Sequence, residues 1–264
     1  MSTESGPEGI PAATIIIFRN CRNPTGGGGA PEVLMTVRSR TMSFAGGMAV
    51  FPGGRVDPED FALGEQIAAS GIITADEAAH QIAAVRETLE ETGLALGLAG
   101  NIDAARAAAA RAMLAETHAL APVLAAFDWR LDLAQITPFA RWFPKNENIP
   151  RVYDTRFYLA NLGTGAVDVS IDQAENTRLF WVSAQGALDD AERGAIKLIF
   201  PTRRNLERLA LFASYEEARA QAEAIPVRTI VPHVDTTGDQ PMLRIMADAG
   251  YPITAELLEN VARG

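Results

Sequence analysis

Thr74 to Leu94 reads TADEAAHQIAAVRETLEETGL, and this stretch decides the fold. Thr74 and Glu77 have the S/T-x-x-E spacing of a capping box at a helix start, and Gly93 suits the left-handed residue that closes a helix. Between these ends, apolar residues recur at the spacing of one helical face, at Ala78, Ile82, Val85 and Leu89. We therefore predict one helix over this stretch, with its apolar face towards the core.

The opposite face of the predicted helix carries a cluster of carboxylates. Glu87, Glu90 and Glu91 stand at i, i+3 and i+4, where like charges destabilise a helix by roughly 0.2–0.5 kcal/mol per pair. The neighbouring Arg86 offsets only part of this repulsion. Mg²⁺ prefers hard oxygen ligands and usually takes one or two carboxylates, with water and substrate phosphates in its other positions. The cluster is therefore either a solvated acidic surface or a metal site, and the surrounding residues favour the metal site.

Composition excludes several functional classes. The net charge of −10 argues against a nucleic-acid partner, because a polyanion would be repelled. A single cysteine, Cys21, allows no internal disulfide and fits a reducing compartment. No apolar run is long enough for a membrane span, so we expect no membrane partner and a cytoplasmic location.

The rest of the chain predicts a mixed sheet with helices on both faces, because strands and helices alternate irregularly, with hairpins as well as crossovers. The chain has 264 residues. Residues 1–12 are predicted to be a flexible arm, and residues 13–264 are predicted to form one domain. Strands are predicted at 13–19, 32–38, 48–51, 135–143, 152–162, 179–183 and 227–234. Helices are predicted within 57–71 and 101–127 and at 184–193, 202–212, 215–224 and 253–262.

Arg86 to Leu94, RETLEETGL, resembles the second half of the Nudix box, R-E-U-x-E-E-x-G-U, with Thr88 at the first bulky aliphatic position. Phe51 to Gly54 supplies the FPGG that opens the first half. Gly54 lies 32 residues before Arg86 (86 − 54) instead of fourteen, so the box carries an insertion of 18 residues (32 − 14). The resemblance implies a Nudix-type α/β/α sandwich with insertions at about 57–73 and 98–130 and a helical C-terminal extension.

Further segments are similar to the coenzyme A diphosphatase branch of this superfamily. Leu34 to Gly54 follows the signature LLTxR[SA]x3Rx3Gx3FPGG in spacing, although Ser43 replaces an arginine and Met35 a leucine. Tyr153 to Tyr158, YDTRFY, resembles the strand R-F-D-T-x-F-[FY] of that branch. Trp181-Val182-Ser183 resembles the usual end of a later Nudix strand.

The resemblance implies metal-dependent hydrolysis of a diphosphate, with Mg²⁺ or Mn²⁺ as the cofactor. Glu90 and Glu91 would be metal ligands, Glu87 a third ligand or the base, and Arg86 the residue that holds these carboxylates. The Gly54 carbonyl and Glu175, with Asp172 as the alternative, are further candidate ligands. Candidate phosphate clamps, each of which could instead form a surface ion pair, are Arg38, Arg40, Arg55, Arg151 and Arg156. His80 falls on the carboxylate face but about two helical turns from Glu87.

The expected partner is a small nucleotide diphosphate. Coenzyme A or an acyl-coenzyme A is the first choice, cleaved to 3′,5′-ADP and a 4′-phosphopantetheine product. NADH and ADP-ribose are the alternatives within the enzyme class, kept open by Ser43. The alternative class is a Nudix-fold binding or regulatory module without turnover. Asn101 to Phe127 has two interpretations, as a wall of the site or as the support of a homodimer.

Overall fold

The computed structural model describes residues 9–20, 29–39, 45–145, 152–163 and 176–261. Strand β1, Ile10–Arg19, runs through the centre of the main sheet. Successive side chains of a strand point to opposite faces. Ile15 and Ile17 accordingly join the apolar core on one face of the sheet, while Ile16 and Phe18 join the core on the other. A strand buried on both faces explains the nearly continuous apolar run in the sequence.

The main sheet is mixed, as predicted. Strand β1 pairs in parallel with β8, Tyr153–Asn161, and antiparallel with β2, Glu32–Arg38, and with β4, Gly53–Arg55. The remaining strands of this sheet are β3 Ala49–Val50, β7 Ile136–Trp142, β9 Asn176–Ser183 and β10 Thr229–Ile230. The strand order of the sheet is β10-β7-β8-β1-β2-β3, with β4 added beside β1 and β9 beside β2.

One face of the sheet is covered by the predicted helix and by the helices that precede and follow it in the chain. The predicted helix is α2, Ala75–Thr92, and it packs beside α1, Pro58–Ala68. Helices α3, Ala104–Thr117, and α4, Leu120–Phe127, contribute to the same apolar core. A short strand pair closes the base of these two helices, β5 Leu98–Ala99 with β6 Arg130–Leu131.

The other face is covered by helices from the C-terminal third of the chain. These are α5 Ala184–Glu192, α6 Phe200–Leu209 and α7 Tyr215–Ala224. Their apolar residues pack with Phe18, Met35 and Trp142 of the sheet. Helices therefore lie on both faces, which confirms the predicted α/β/α class.

The chain end differs from the prediction. The terminal helix expected over 253–262 is wrong, because β13, Ala255–Leu257, pairs with β12, Met242–Arg244, which pairs with β11, His233–Asp235. Only one 3-10 turn, Leu258–Asn260, follows in the described chain. Helical propensity at this segment yields to strand pairing, a tertiary contact that local sequence does not encode.

Two smaller differences concern element boundaries. Strand β1 begins at Ile10, so residues 10–12 belong to the sheet. The pairing with β8 extends to Ile10, and the pairing with β4 extends to Ala12. The single late strand predicted over 227–234 is two short strands, β10 and β11, in different sheets. No helix in the described ranges combines the length and apolar character needed to cross a bilayer.

Candidate active site

Both predicted ends of helix α2 are confirmed. The Thr74 hydroxyl accepts a hydrogen bond from the Glu77 backbone N–H at 3.2 Å, and Gly93 closes the helix at φ 76°. The Glu77 carboxylate is directed towards the sheet, where Tyr158 donates to it at 2.9 Å and Arg156 at 2.6 Å. These contacts attach the first turn of α2 to strand β8.

The prediction that α2 has a buried apolar face opposite its acidic face is only partly correct, because the acidic side is also partly buried. The four predicted core residues are fully buried, but Glu91 on the acidic side is also only 2% exposed. Glu87 and Glu90 keep side-chain exposures of 13% and 29%. Helices α1 and α3 and strand β4 all pack against α2, and β4 contacts the acidic side through the Gly53 N–H.

Arg86 is the centre of the site and is 3% exposed. Its Nε and one terminal nitrogen donate to the Asp60 carboxylate at 2.9–3.2 Å, and that terminal nitrogen also donates to the Arg55 carbonyl at 2.8 Å. The other terminal nitrogen lies 2.9 Å from a Glu87 oxygen and 3.4 Å from a Glu90 oxygen. A guanidinium has five N–H donors in a fixed plane, so these contacts determine its orientation completely.

The charges around Arg86 favour its cationic form. Burial opposes the charge, but the carboxylates of Glu87 and Asp60 outweigh it and raise the pKa of Arg86 above its usual value. Arg86 is therefore a permanent cation between an inner carboxylate and an outer carboxylate pair.

Asp60 is a site residue that the sequence reasoning missed. It lies in the first turn of α1, is 1% exposed and accepts the Asp57 backbone N–H at 2.9 Å. A second carboxylate oxygen, from Asp57, lies 3.3 Å from Arg86. Burial raises the pKa of Asp60, although Arg86 acts in the opposite direction. The available signal was an acidic first turn directly after the Gly53-Gly54 turn.

The Gly53-Gly54 turn contacts the acidic helix α2, although the two are far apart in sequence. The Gly53 backbone N–H donates to the Glu91 carboxylate at 2.9 Å. Gly54 lies so close to Glu87 that a Cβ atom there would collide with the Glu87 carboxylate. A side chain at this position would displace the Glu87 carboxylate, so glycine permits the close approach. The structure therefore brings Gly54, Glu87, Glu90, Glu91 and Arg86 together.

The acidity of Glu87 is strongly perturbed. Burial raises its pKa to about 8, and the nearby carboxylates of Glu91 and Glu90 add to the rise, against the lowering effect of Arg86. An acid that holds its proton near neutrality is suited to proton transfer. A cation bound beside it would stabilise the carboxylate form.

The donor set fits Mg²⁺ or Mn²⁺ in an open site. In the described ranges, no three acidic, histidine or cysteine side chains form a ready-made metal cage. Mg²⁺ does not require one, since one or two carboxylates with water and substrate phosphates complete its coordination. Glu87 and Glu90, which share one Arg86 nitrogen beside Gly54, supply such a pair. Glu175 and Asp172 lie outside the described residues.

The predicted phosphate clamps are placed differently from one another. Arg156 pairs with Asp76 and Glu77 at the start of α2, at the other end of the helix from Glu90. The Arg55 side chain is exposed beside the site. The Nε atom of Arg38 is buried and makes no hydrogen bond within the described structure. Arg40 and Arg151 lie outside the described residues.

His80 is a structural residue of the first half of α2. Its ring lies 3% exposed against the edge of Phe61, and its Nδ1 is 2.7 Å from the Asp76 carbonyl. Burial lowers its pKa, so the neutral ring is favoured. Its contacts join α1 to α2 and do not extend to the carboxylate cluster.

Comparison with known proteins identifies the fold. No family model matches the chain, and no curated protein does. A Nudix hydrolase structure from Alicyclobacillus acidocaldarius is similar, with a TM-score of 0.68 and 26% identity over 81% of this chain and 96% of that one. The Nudix domain of Shewanella oneidensis NrtR, solved with ADP ribose, has a TM-score of 0.41 and 12% identity over 78% and 90%. A MutT protein from Methanosarcina mazei has a TM-score of 0.38 and 16% identity over 83% and 98%.

The first of these similarities carries the assignment, because its TM-score and its sequence identity are clearly higher than those of the other two. The protein therefore has the Nudix hydrolase fold, which suggests hydrolysis of a pyrophosphate bond in a nucleoside diphosphate derivative.

Proposed function

We propose that the protein is a Mg²⁺- or Mn²⁺-dependent diphosphatase that acts on coenzyme A or an acyl-coenzyme A. The observation that carries the hydrolytic part is the contact of one Arg86 nitrogen with both Glu87 and Glu90, beside Gly54. This contact places two carboxylates next to Gly54, which has no side chain to block the approach of a metal ion. The coenzyme A part rests on the LLTxR-like and FPGG segments of strands β2 to β4.

The residues divide the work of the reaction. A bound metal ion would lower the pKa of the attacking water and neutralise the diphosphate. Glu87 and Glu90 hold the ion, and Arg86 fixes their carboxylates. Glu87 is also the candidate base, because a cation bound beside it would displace its proton and leave the carboxylate form. Positioning and charge neutralisation are the main requirements of such phosphoryl and nucleotidyl transfers.

Two arginines are available for the substrate. Arg55 is exposed beside the carboxylates, and Arg38 keeps a buried Nε donor without a hydrogen-bond partner in the described structure. A buried donor of this kind costs about 1–3 kcal/mol when it stays unsatisfied. A substrate phosphate would satisfy it. Arg156 is less suited, because two carboxylates already occupy it.

A substrate panel tests this proposal. Coenzyme A, an acyl-coenzyme A, NADH and ADP-ribose are incubated with the protein and Mg²⁺ or Mn²⁺, and the products are identified by mass. We expect 3′,5′-ADP and a 4′-phosphopantetheine product from the first two. Rapid cleavage of NADH or ADP-ribose with no turnover of coenzyme A would replace the substrate. No cleavage of any of the four would contradict the diphosphatase assignment and favour a binding module.

A further inference from the structure

The helical insertion over 98–130 packs against the site helix. Helix α3 is anchored in the shared core by Ala110 and Leu114, both fully buried, and by Ala107. These residues recur at i, i+3 and i+7, the spacing of one helical face. Arg111 follows Ala110 directly and lies where α3 passes the end of α2.

Arg111 binds the main chain of Glu90 and Glu91, the last two acidic residues of α2. Its Nε donates to the Glu90 carbonyl at 2.8 Å, and a terminal nitrogen donates to the Glu91 carbonyl at 3.3 Å. The last four carbonyls of a helix have no donor within the helix. The Leu94 N–H, which could have reached the Glu90 carbonyl, donates to the Thr92 hydroxyl. Arg111 therefore supplies from another helix what the last turn of α2 lacks.

The placement of these bonds bears on the carboxylates themselves. Glu90 and Glu91 lie in the last turn of α2, where helices fray most easily. A cation at a helix C-terminus also interacts favourably with the helix dipole. Glu91 is held by Gly53 on its side chain and by Arg111 on its carbonyl, so the turn is fixed from two directions.

We propose that Arg111 is a positioning residue, which fixes the last turn of α2 and so directs the Glu90 carboxylate for metal binding. This inference rests on the proposed function, in which that carboxylate holds a metal. It gives the insertion a role distinct from the two interpretations that the sequence allowed, a pocket wall or the support of a homodimer.

The test is metal affinity without substrate. Mn²⁺ is titrated into the full-length protein and free Mn²⁺ is followed by electron paramagnetic resonance, for the parent and for Arg111→Met, which keeps an aliphatic side chain without donors. Groups that orient metal ligands typically contribute about 10–100-fold to metal affinity or activity. We expect the Mn²⁺ Kd of the variant to rise by at least about tenfold on that scale. In the cleavage assay, kcat should fall while KM stays close to the parent value. Arg111→Lys, which keeps the charge and part of the donor capacity, should recover part of the affinity.

Arg106 provides a matched structural control on the same helix. It donates to the Asn101 and Phe127 carbonyls, both within the insertion and neither on α2. Arg106→Met should therefore lower the thermal midpoint but leave the Mn²⁺ Kd unchanged. Glu116→Gln, at an exposed position of α3, should change neither quantity.

The outcomes separate the inference from the proposed function. A folded Arg111→Met with a Kd within twofold of the parent overturns the inference, as does an equal loss in Arg106→Met. Should Arg111→Met fail to fold, Arg111→Gln is measured against the same limits. A parent that cleaves no diphosphate but loses Mn²⁺ affinity on Arg111→Met would refute the function and support the inference. A parent that binds no Mn²⁺ would overturn both.

Discussion

At the residue scale, the site is organised by one cation with carboxylates on two sides. Asp60 binds the inner edge of Arg86, and Glu87 and Glu90 meet its outer edge. A guanidinium suits this role because its planar fork binds a carboxylate through two parallel bonds. The inner carboxylate neutralises the cation, so that the outer pair remains available to a metal ion.

Asp60→Ala tests the inner half of this arrangement. Removing one partner of a buried ion pair typically costs 3–5 kcal/mol, and the remaining contacts of Arg86 reduce this cost. We expect a loss of about 3 kcal/mol in the free energy of unfolding, measured by urea denaturation. Glu59→Ala, at the exposed neighbouring position, is the control and should change stability little. Equal stability of the two variants would show that the Arg86–Asp60 pair contributes nothing.

Proton release tests the outer half. Because burial and the adjacent carboxylates raise the pKa of Glu87 to about 8, this side chain is mostly protonated at pH 7 without metal. A cation favours the carboxylate form, so Mg²⁺ binding at pH 7 should release close to one proton, and little above pH 9. Calorimetry in buffers of different ionisation enthalpy measures this number. Glu87→Gln should release none.

The same pKa fixes the sign of a stability effect. The folded pKa of Glu87 lies above its ordinary value of 4.5, so the metal-free folded chain holds a proton that the unfolded chain loses. The contribution of Glu87 to the free energy of unfolding therefore declines as pH rises from about 4.5 to about 8. In the proton-release experiment, identical heats of Mg²⁺ binding in all buffers at pH 7 would contradict the pKa assigned to Glu87.

At the element scale, α1 packs directly against α2. Gly64 makes this close approach, since a Cβ there would lie 2.8 Å from the Ala75 carbonyl and 2.9 Å from the Ala79 nitrogen. Both neighbours are main-chain atoms of α2, so they cannot move aside independently of the helix. The same helix α1 carries Asp60, and its position therefore determines where Arg86 is held.

Gly64→Val should separate the two helices. Overpacking typically costs 1–3 kcal/mol, and we expect a loss of about 2 kcal/mol in unfolding free energy together with reduced cleavage. Ala62→Val introduces the same side chain at an exposed position of α1 and should cost only about 0.5 kcal/mol of helix propensity. Unfolding curves and cleavage rates of both variants give the comparison. Similar values for the two would refute the close packing of α1 on α2.

The elements show what sequence patterns can predict. Both ends of α2 were predictable, because the Thr74 cap and the Gly93 stop are local interactions that a few residues determine. Strand β2 was predictable over Glu32–Arg38 for the same reason, since its short apolar run shows directly in the residue types and four consecutive residues of it are buried. The burial of Glu91 was not, because it depends on elements that pack against α2 from elsewhere in the chain, such as β4 with Gly53, and local sequence does not encode that packing.

At the scale of the whole molecule, the sheet brings together residues that are distant in sequence. Strand β1 holds Gly54 of β4 and Arg156 of β8 in register on either side of Ala13. Motif spacing indicated the meeting of the glycine turn with α2. It could not indicate Asp60 or Arg111, because their partners are a guanidinium and two main-chain carbonyls that only the folded chain brings within reach. The strand pairing of the chain end was missed for the same physical reason.

Glu90→Gln is the most direct test of the central claim, that the acidic face of α2 holds a metal ion for diphosphate hydrolysis. The amide is nearly the same size as the carboxylate but lacks its charge, so the fold should persist while metal-assisted cleavage is lost. Metal ions contribute several kcal/mol to such reactions, so we expect Mg²⁺-dependent cleavage to fall by at least about 100-fold. Glu116→Gln should retain the parent rate. A folded Glu90→Gln protein that cleaves every panel substrate at the parent rate would contradict the account.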